Sequence, residues 1–247
     1  MLIDFLCCLW YNGIMLGQEG SEMINFIAFT PKRRSLWLLN FGVYSAIKRL
    51  ADILLSIMGL ILLSPLFLIV AILIKREDGG KIFFRQTRTG QFGQEFKILK
   101  FRSMVEDNDV RDNSCADCHT KIGKFIRDRS IDELPQLINI LKGEMSFIGP
   151  RPWIPEYWQA MMKTQRARTL VKPGITGLAQ ANGRNGISIF EKIRLDVEYV
   201  RKFSILMDFY VIFKTVKAVL SKANADAGKQ VIHDELAELR ADNKRFV

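Results

Sequence analysis

The sequence predicts a mainly helical α+β protein, monotopic in the membrane, with a small β element and amphipathic interfacial helices. Three features support this fold class. Residues 50–74 form an apolar run that is interrupted by a proline and flanked by basic residues. Two short basic segments that follow it are typical of strands. Two amphipathic segments within residues 188–220 are typical of helices that can lie in the membrane interface.

The apolar run is long enough to cross a membrane, but an interruption in its middle indicates a bend. Asp52 is its only charge, and its length matches a hydrocarbon core about 30 Å thick. Ser64 and Pro65 lie near its centre, where proline removes a helix hydrogen bond and clashes with the preceding turn. The Ser64 hydroxyl can bond a backbone carbonyl that the proline leaves unpaired. A helix broken at these two residues is one prediction.

The charges at both ends of the run favour a helix that enters the membrane and returns to the same face. Lys48 and Arg49 precede the run, and Lys75 and Arg76 follow it. Because basic residues prefer the cytoplasmic side, both ends are expected on that side. The alternative is an ordinary tilted span that tolerates its proline. In either case residues 41–76 form the membrane element.

The composition favours an anionic partner and a reducing compartment. The 247 residues include 36 Lys and Arg against 26 Asp and Glu, a formal net charge of +10. This excess suits lipid headgroups, a phosphorylated substrate or nucleic acid. The four cysteines, Cys7, Cys8, Cys115 and Cys118, do not form the disulfide framework of a secreted protein.

The chain divides into four parts. Residues 1–40 form an N-terminal extension to which we assign no function, and residues 41–76 form the membrane helix. Residues 77–220 form a cytoplasmic domain. Residues 221–247 form a charged tail, in which we expect a short exposed helix near residues 234–242.

The domain begins with a predicted hairpin. Residues 81–85 and 95–102 read as strands, joined by a turn at residues 90–93. The alternation of apolar residues slips at Ile98 and Leu99, which is compatible with a bulge. The basic side chains of this hairpin are either a solvated face or a surface for headgroups or a phosphorylated ligand. They are Lys81, Arg85, Arg88, Lys97, Lys100 and Arg102.

Predicted helices and turn-rich loops alternate in the rest of the domain. The predicted helices cover residues 135–141, 158–171, 188–202 and 203–220. The last of them is either a core helix or one that lies flat in the interface. Residues 146–155 contain three prolines and a glycine, so we expect an ordered loop there.

Two adjacent carboxylates, Asp132 and Glu133, lie in the densest cluster of candidate site residues. One interpretation is structural: Ser130 caps a helix and Glu133 reaches back to it, as in a capping box. A helix that begins at Pro135 instead would place both carboxylates at its start. On this stretch alone the capping interpretation is favoured over catalysis.

The catalytic interpretation of this pair is phosphoryl transfer. One carboxylate can attack phosphorus and form an acyl phosphate, and the other can hold Mg²⁺ together with substrate phosphates. Arg127 and Arg129 just upstream can neutralise charge on the transferred group. Arg151 lies between two prolines that stiffen its loop, which reduces the entropy lost on binding phosphate.

Cys115, Cys118 and His119 match the CxxCH pattern of haem c attachment. Haem attachment belongs to an oxidising compartment, which the rest of the sequence does not indicate. A zinc site would need a fourth ligand, and the other cysteines and His233 are remote in sequence. We interpret these residues as an incidental loop.

A series of short motifs runs in order along most of the domain and the membrane helix. They are Lys48-Arg49 with Asp52, Ser64-Pro65, Phe84–Gln86, Lys100–Met104, Arg127 with Ser130 and Asp132–Gln136, Gly149–Pro152, Lys172–Gly177, Asn182–Arg184, and Asp196 with Tyr199-Val200. In this order they resemble the bacterial sugar transferase family, the monotopic phosphoglycosyl transferases. The resemblance is to the small form of the family, without a multi-span N-terminal domain.

The resemblance implies a re-entrant helix broken at Ser64-Pro65 and a covalent mechanism on the cytoplasmic face of the bacterial inner membrane. Asp132 would attack the sugar-bearing phosphorus of a UDP-sugar and release UMP. A polyprenyl phosphate would then take the phosphosugar, which starts capsule, O-antigen or exopolysaccharide synthesis. Glu133 would bind Mg²⁺, and Arg127 and Arg151 would contact phosphate.

The partners implied are therefore a UDP-sugar, polyprenyl phosphate and membrane lipids, without nucleic acid. The resemblance specifies neither the sugar nor the oligomeric state. The alternative function is a non-enzymatic basic module that binds the membrane surface, which would rest on net charge and the apolar run alone. Such a module would release no UMP.

Overall fold

The computed structural model describes residues 31–105, 119–183, 186–220 and 232–245. The fold is mainly helical with a small hairpin sheet, as the sequence predicts, and it has a second small sheet that the sequence analysis did not predict. Its helices are α1 (Pro31–Asp78), α2 (Lys121–Asp128), α3 (Gln136–Lys142), α4 (Pro155–Ala160), α5 (Lys163–Arg166), α6 (Leu178–Ala181), α7 (Ile189–Arg201), α8 (Ile205–Leu220) and α9 (Ile232–Arg245). Its strands are β1 (Phe83–Thr89), β2 (Glu95–Phe101), β3 (Ser146–Ile148) and β4 (Gly174–Thr176).

The membrane element is the C-terminal part of α1, which continues as a helix through Pro65. The Ser64 hydroxyl donates a hydrogen bond of 2.8 Å to the carbonyl of Ile61. That carbonyl is the one whose helical partner would be the missing N–H of Pro65, so the predicted compensation is confirmed. Among the described residues, the part of α1 from Phe41 to Asp78 is the one helix long and apolar enough to cross a membrane.

Polar residues of α1 contact the domain, while many of its apolar side chains are exposed. The Arg49 guanidinium donates to the carbonyls of Ile140 at 2.5 Å and Leu141 at 2.8 Å, in the last turn of α3. Asp52, which is only 4% exposed, accepts from a hydroxyl at 3.1 Å and an amide at 3.2 Å at the start of β3. These bonds explain how the one charge of the apolar run is accommodated.

A second set of polar contacts joins α1 to α7 and α8 through Asp208, which is buried. Tyr44 donates to one Asp208 oxygen at 2.5 Å, and the Lys48 ammonium pairs with the same oxygen. The Tyr199 hydroxyl donates to the other oxygen at 2.6 Å. The three donors satisfy the buried carboxylate, so the start of the membrane element is held at a defined place on the domain.

The hairpin forms as predicted, but without a bulge. Strands β1 and β2 pair antiparallel in one regular register, from Phe83 opposite Phe101 to Thr89 opposite Glu95. The apolar alternation slips because both faces of the ribbon are partly covered: Ile98 is buried against α3, and Leu99 is partly buried. The predicted bulge is therefore wrong.

Two other local predictions are also wrong. Residues 158–171 do not form one helix, because the backbone is extended at Met161 and Met162, between α4 and α5. This change places Met161 in the core. The loop at residues 146–155 begins with a strand, since β3 pairs in parallel with β4. The helices predicted at 135–141, 188–202 and 203–220 are confirmed by α3, α7 and α8.

The tail contains a helix that packs on the domain instead of being exposed. Leu236 and Leu239 of α9 are buried in the main apolar core. Glu235 accepts hydrogen bonds of 2.6 Å from the Tyr157 hydroxyl and from the Lys192 ammonium. The sequence expectation failed because the few apolar residues of α9 lie on one face, where a short helix can bury them against α4 and α7.

Several expectations fall outside the described residues. These are the N-terminal extension up to residue 30, Cys115 and Cys118 of the CxxCH pattern, Arg184, and the first part of the tail, residues 221–231. His119 is described, and its Nδ1 lies 3.3 Å from the carbonyl of Ser103. Met104 and His119 form an isolated bridge.

We expect Leu239→Ala to lower the free energy of unfolding by about 2–5 kcal/mol, because it leaves a cavity in a packed core. Leu239 is 1% exposed. The measurement is unfolding of the detergent-solubilised chain by heat or denaturant. Glu238→Ala, on the exposed side of the same helix, is the control and should change stability by less than about 0.5 kcal/mol. Equal effects of the two substitutions would contradict the packing of α9.

Candidate active site

Asp132 and Glu133 lie on a short 3-10 turn, Ile131–Glu133, between α2 and α3. Ser130 before it has a left-handed backbone with φ of 56° and makes no side-chain capping hydrogen bond. Pro135 stands immediately before α3. The capping interpretation of this stretch is therefore wrong. The alternative, with both carboxylates just ahead of a helix, describes the observed backbone.

Glu133 is held by two cations from different elements. Lys100 of β2 donates to its Oε1 at 2.6 Å, and Arg151 donates to the same oxygen at 3.0 Å. These charge-assisted bonds fix the direction of the Glu133 side chain. Oε2 of Glu133 has no hydrogen-bond partner in the part of the chain that the structure describes.

Asp132 lies beside the hydrogen bonds to Glu133 but does not take part in them. The residue is 7% exposed, and Lys100 Nζ lies 4.0 Å from its Oδ2. No described donor makes a hydrogen bond to its carboxylate. A buried carboxylate with a cation nearby and no fixed hydrogen bond keeps its lone pairs available for attack.

The environment separates the pKa values of the two carboxylates. For Glu133, burial opposes ionisation, but the charges and hydrogen bonds of Arg151 and Lys100 outweigh it and hold the pKa well below its usual range. For Asp132, burial raises the pKa, since Lys100, Arg127 and Arg151 offset it only in part and the Glu133 charge adds to it. Such a separation is typical of two carboxylates with different roles.

Arg151 stands on a stiff loop, as predicted, and other side chains brace that loop. The Arg168 guanidinium donates to the carbonyl of Arg151 at 2.7 Å and to Asp196 Oδ2 at 3.0 and 2.7 Å. It also lies over the Trp153 ring, 3.8 Å from the centroid. A Cβ added to Gly149 would lie 2.3 Å from the carbonyl of Lys172, so only glycine permits this close approach.

The structure separates the other predicted arginines. Arg127 is in the last turn of α2, where its positive charge lowers the pKa of Asp132. Arg129 instead stacks on the Phe125 ring at 3.9 Å. Ser64 and Pro65 lie in the apolar part of α1, where the Ser64 hydroxyl donates to the carbonyl of Ile61.

Lys100 is the site residue that the sequence analysis did not single out. It was grouped with the basic face of the hairpin, although its Nζ bonds Glu133. Burial lowers the pKa of Lys100, Arg151 lowers it further, and the two carboxylates oppose this shift. A signal was present, because Lys100 is a charged residue in an otherwise apolar strand segment, but nothing in the sequence indicates that β2 and the 3-10 turn meet.

The two carboxylates provide a donor set that Mg²⁺ accepts, since this ion is commonly held by one or two carboxylates together with substrate phosphates. Glu133 retains an oxygen without a hydrogen-bond partner from the described residues, and Asp132 adjoins it. Three or more metal-ligating side chains do not meet anywhere within the described ranges. A metal held here would therefore need further ligands from the substrate or water.

Known proteins resemble this chain over most of its length. The exopolysaccharide production protein ExoY of Sinorhizobium fredii is 40% identical over 70% of this chain and 84% of its own length. The UDP-glucose:undecaprenyl-phosphate glucose-1-phosphate transferase of Klebsiella pneumoniae is 40% identical over 83% of this chain and 46% of its own. The galactosyl transferase CpsE of Streptococcus agalactiae is 41% identical, with shares of 74% and 44%.

The region of similarity contains both the membrane helix and the paired carboxylates. The model of the bacterial sugar transferase family matches residues 43–222. This range includes most of α1 and all of the elements through α8, but not α9. The chain belongs to the bacterial sugar transferase family, as its motifs predict.

Proposed function

We propose that this protein transfers sugar 1-phosphate from a UDP-sugar to a polyprenyl phosphate through a covalent intermediate on Asp132. The observation that carries the proposal is a pair of adjacent carboxylates whose pKa values shift in opposite directions. Two cations bond Glu133, whereas no donor of the described residues bonds Asp132. The name of the Klebsiella relative describes the same overall transfer with glucose.

In the first step an Asp132 oxygen attacks the sugar-bearing phosphorus of the donor. The bond between this phosphorus and the oxygen that bridges the two phosphates breaks, and UMP leaves with the electron pair. The product on the enzyme is an aspartyl phosphosugar, an acyl phosphate. Arg151, Arg127 and Lys100 neutralise the charge that develops on the phosphate oxygens.

In the second step a phosphate oxygen of polyprenyl phosphate attacks the same phosphorus. The bond to the Asp132 oxygen breaks, the carboxylate is regenerated, and polyprenyl-diphospho-sugar leaves. Glu133 remains ionised throughout, because Lys100 and Arg151 stabilise its charge. We assign Mg²⁺ to Glu133, where it would supply charge neutralisation to the donor phosphates.

The proposed anchor is a re-entrant α1 that bends at Ser64-Pro65, with both ends on the cytoplasmic face of the bacterial inner membrane. Its support is the basic residues at both ends and the Ser64 hydroxyl that replaces the hydrogen bond lost at Pro65. The apolar side chains of α8 add a second surface for the interface, and the most exposed are Leu206, Phe209, Phe213, Val219 and Leu220.

This location places the site at headgroup level, where a lipid phosphate can reach Asp132 without entering hydrocarbon. The names of the relatives include exopolysaccharide production and transferases for glucose and galactose. We propose that the reaction starts the synthesis of a surface polysaccharide or glycoconjugate. A purely binding module would leave the tuned carboxylate pair without a role.

We expect Asp132→Asn to abolish the labelled phosphosugar–enzyme adduct and to lower turnover by at least about 10³-fold, because an amide cannot serve as the nucleophile. The measurement is gel detection of label from a UDP-sugar, together with UMP release. Asp128→Asn changes an exposed carboxylate in the same region and should behave as the parent. Normal turnover in Asp132→Asn would rule out this nucleophile.

We expect Lys100→Met to shift the acidic limb of the pH profile of kcat/KM for the UDP-sugar to higher pH. Asp132 attacks as the carboxylate, so activity falls as the pH drops through its pKa, which Lys100 lowers. Removing this charge raises that pKa. Lys100→Arg keeps the charge and should keep the position of the limb. An unshifted limb in Lys100→Met would contradict the electrostatic role of Lys100.

We expect cysteines placed at both ends of the membrane element to react with a membrane-impermeant reagent from the same side. The variants are Ala46→Cys and Arg76→Cys, both at exposed positions of α1, in a background without the native cysteines. Labelling in right-side-out and inside-out vesicles gives the orientation. Labelling from opposite sides would establish an ordinary transmembrane span.

A further inference from the structure

We propose that Arg88 is a further substrate-binding residue, which forms with Arg151 a two-arginine site for the diphosphate of the nucleotide donor. Within this site Arg88 holds the phosphate that leaves with the nucleoside. The inference rests on the proposed function and assigns one part of its donor to one additional side chain.

The backbone places Arg88 directly beside the loop of Arg151. Arg88 lies near the end of β1, and the next amide, that of Thr89, donates to the carbonyl of Trp153 at 2.8 Å. Arg88 Nη1 lies 3.5 Å from the carbonyl of Pro152. These contacts join the end of the hairpin to the arginine loop at Pro152 and Trp153, next to Arg151.

The Arg88 guanidinium is largely unpaired. Its Nη2 donates to Gln86 Oε1 at 2.5 Å, and the Nη1 contact is long. Its Nε is buried and has no hydrogen-bond partner in the described parts of the chain. No carboxylate of the described residues forms an ion pair with it. By contrast, the buried Arg168 is paired with Asp196 through two nitrogens. A partly buried cation with a buried, unpaired nitrogen and no carboxylate partner among the described residues is costly, so an anionic ligand is the expected partner.

The surrounding charges agree with a site for an anion. Burial lowers the pKa of Arg88 to about 10, and the positive charge of Arg151 contributes, while Glu133 opposes the shift. Two neighbouring guanidinium groups repel each other, and a phosphate between them relieves this repulsion while it accepts hydrogen bonds from both.

The order of the contacts indicates which phosphate Arg88 holds. Lys100 Nζ lies 4.0 Å from Asp132 Oδ2 and bonds Oε1 of Glu133, the oxygen that Arg151 also bonds. Arg88 contacts the loop of Arg151 at Pro152, and among the described residues it forms no ion pair with Asp132 or Glu133. Along these contacts Arg88 is one step further from the nucleophile than Arg151. Since Asp132 attacks the sugar-bearing phosphorus, the more distant Arg88 faces the phosphate that becomes part of UMP.

The test is direct binding of radiolabelled UMP to the full chain in nanodiscs, measured by equilibrium dialysis without a sugar donor. Arg88→Gln should weaken UMP binding by about tenfold or more, the range for a lost charged hydrogen bond. Arg88→Lys, which keeps the charge without the planar fork, should give a smaller loss. Arg194→Gln, at an exposed surface ion pair, should bind as the parent does.

Two further measurements separate a ligand contact from a structural role. Uridine has no phosphate, so its affinity should be the same in Arg88→Gln and in the parent. The melting temperature of ligand-free Arg88→Gln should not fall, because the substitution removes a buried uncompensated charge, whereas the rise in melting temperature that UMP produces should shrink. If Arg88→Gln does not fold, the UMP affinity of Arg88→Lys decides.

Parent-like UMP affinity in the folded Arg88 variants would overturn the proposal but leave the proposed function intact. Equal losses for UMP and uridine would also overturn it, because the contact would then be to the nucleoside. If the parent itself binds no UMP, both the Arg88 site and the proposed nucleotide-dependent transfer are wrong.

Discussion

The site depends on the two hydrogen bonds that Lys100 and Arg151 donate to the same oxygen of Glu133. They join the hairpin, the 3-10 turn and the arginine loop, which are far apart in sequence. The two cations also neutralise the charge of Glu133, and the adjacent Asp132 is buried without a hydrogen bond from any described residue. Two neighbouring carboxylates can therefore adopt different protonation behaviour in one pocket.

The membrane helix is linked to this site through α3 and through β3. Arg49 of α1 bonds the carbonyls at the C-terminal end of α3, and the N-terminal end of α3 lies just after the turn that contains Glu133. Asp52 fixes the same part of α1 to the start of β3, just before the loop of Arg151. The contacts of Arg49 and Asp52 thus fix the position of the two carboxylates relative to α1.

The sequence predicted the features that arise from local patterns. Apolar periodicity identified α7 and α8, and the turn at residues 90–93 marked the hairpin. The proposal that Asp132, Arg127 and Arg151 share one site came from the resemblance in motif order, since the stretch around Asp132 alone favoured a helix cap. What failed was set by tertiary contacts: the parallel pairing of β3 with β4, and the buried face of α9.

Lys100 shows why local patterns are insufficient for the site. In the sequence it is one of several cations on a hairpin, and only the packing of β2 against the 3-10 turn distinguishes it. Arg88 differs from Arg85 in the same way. Both are arginines of β1, but Arg85 is exposed, whereas the Nε of Arg88 is buried beside the arginine loop.

The position of α9 has a consequence for how the domain is delimited. The family match ends at residue 222, yet Leu236 and Leu239 complete the apolar interior, and Glu235 is the acceptor for Tyr157 and Lys192. A chain truncated at residue 222 would expose the apolar surface that Leu236 and Leu239 cover. It would also leave the Tyr157 hydroxyl and the Lys192 ammonium without their acceptor, Glu235. The packed core of this protein therefore extends beyond residue 222, where the family match ends.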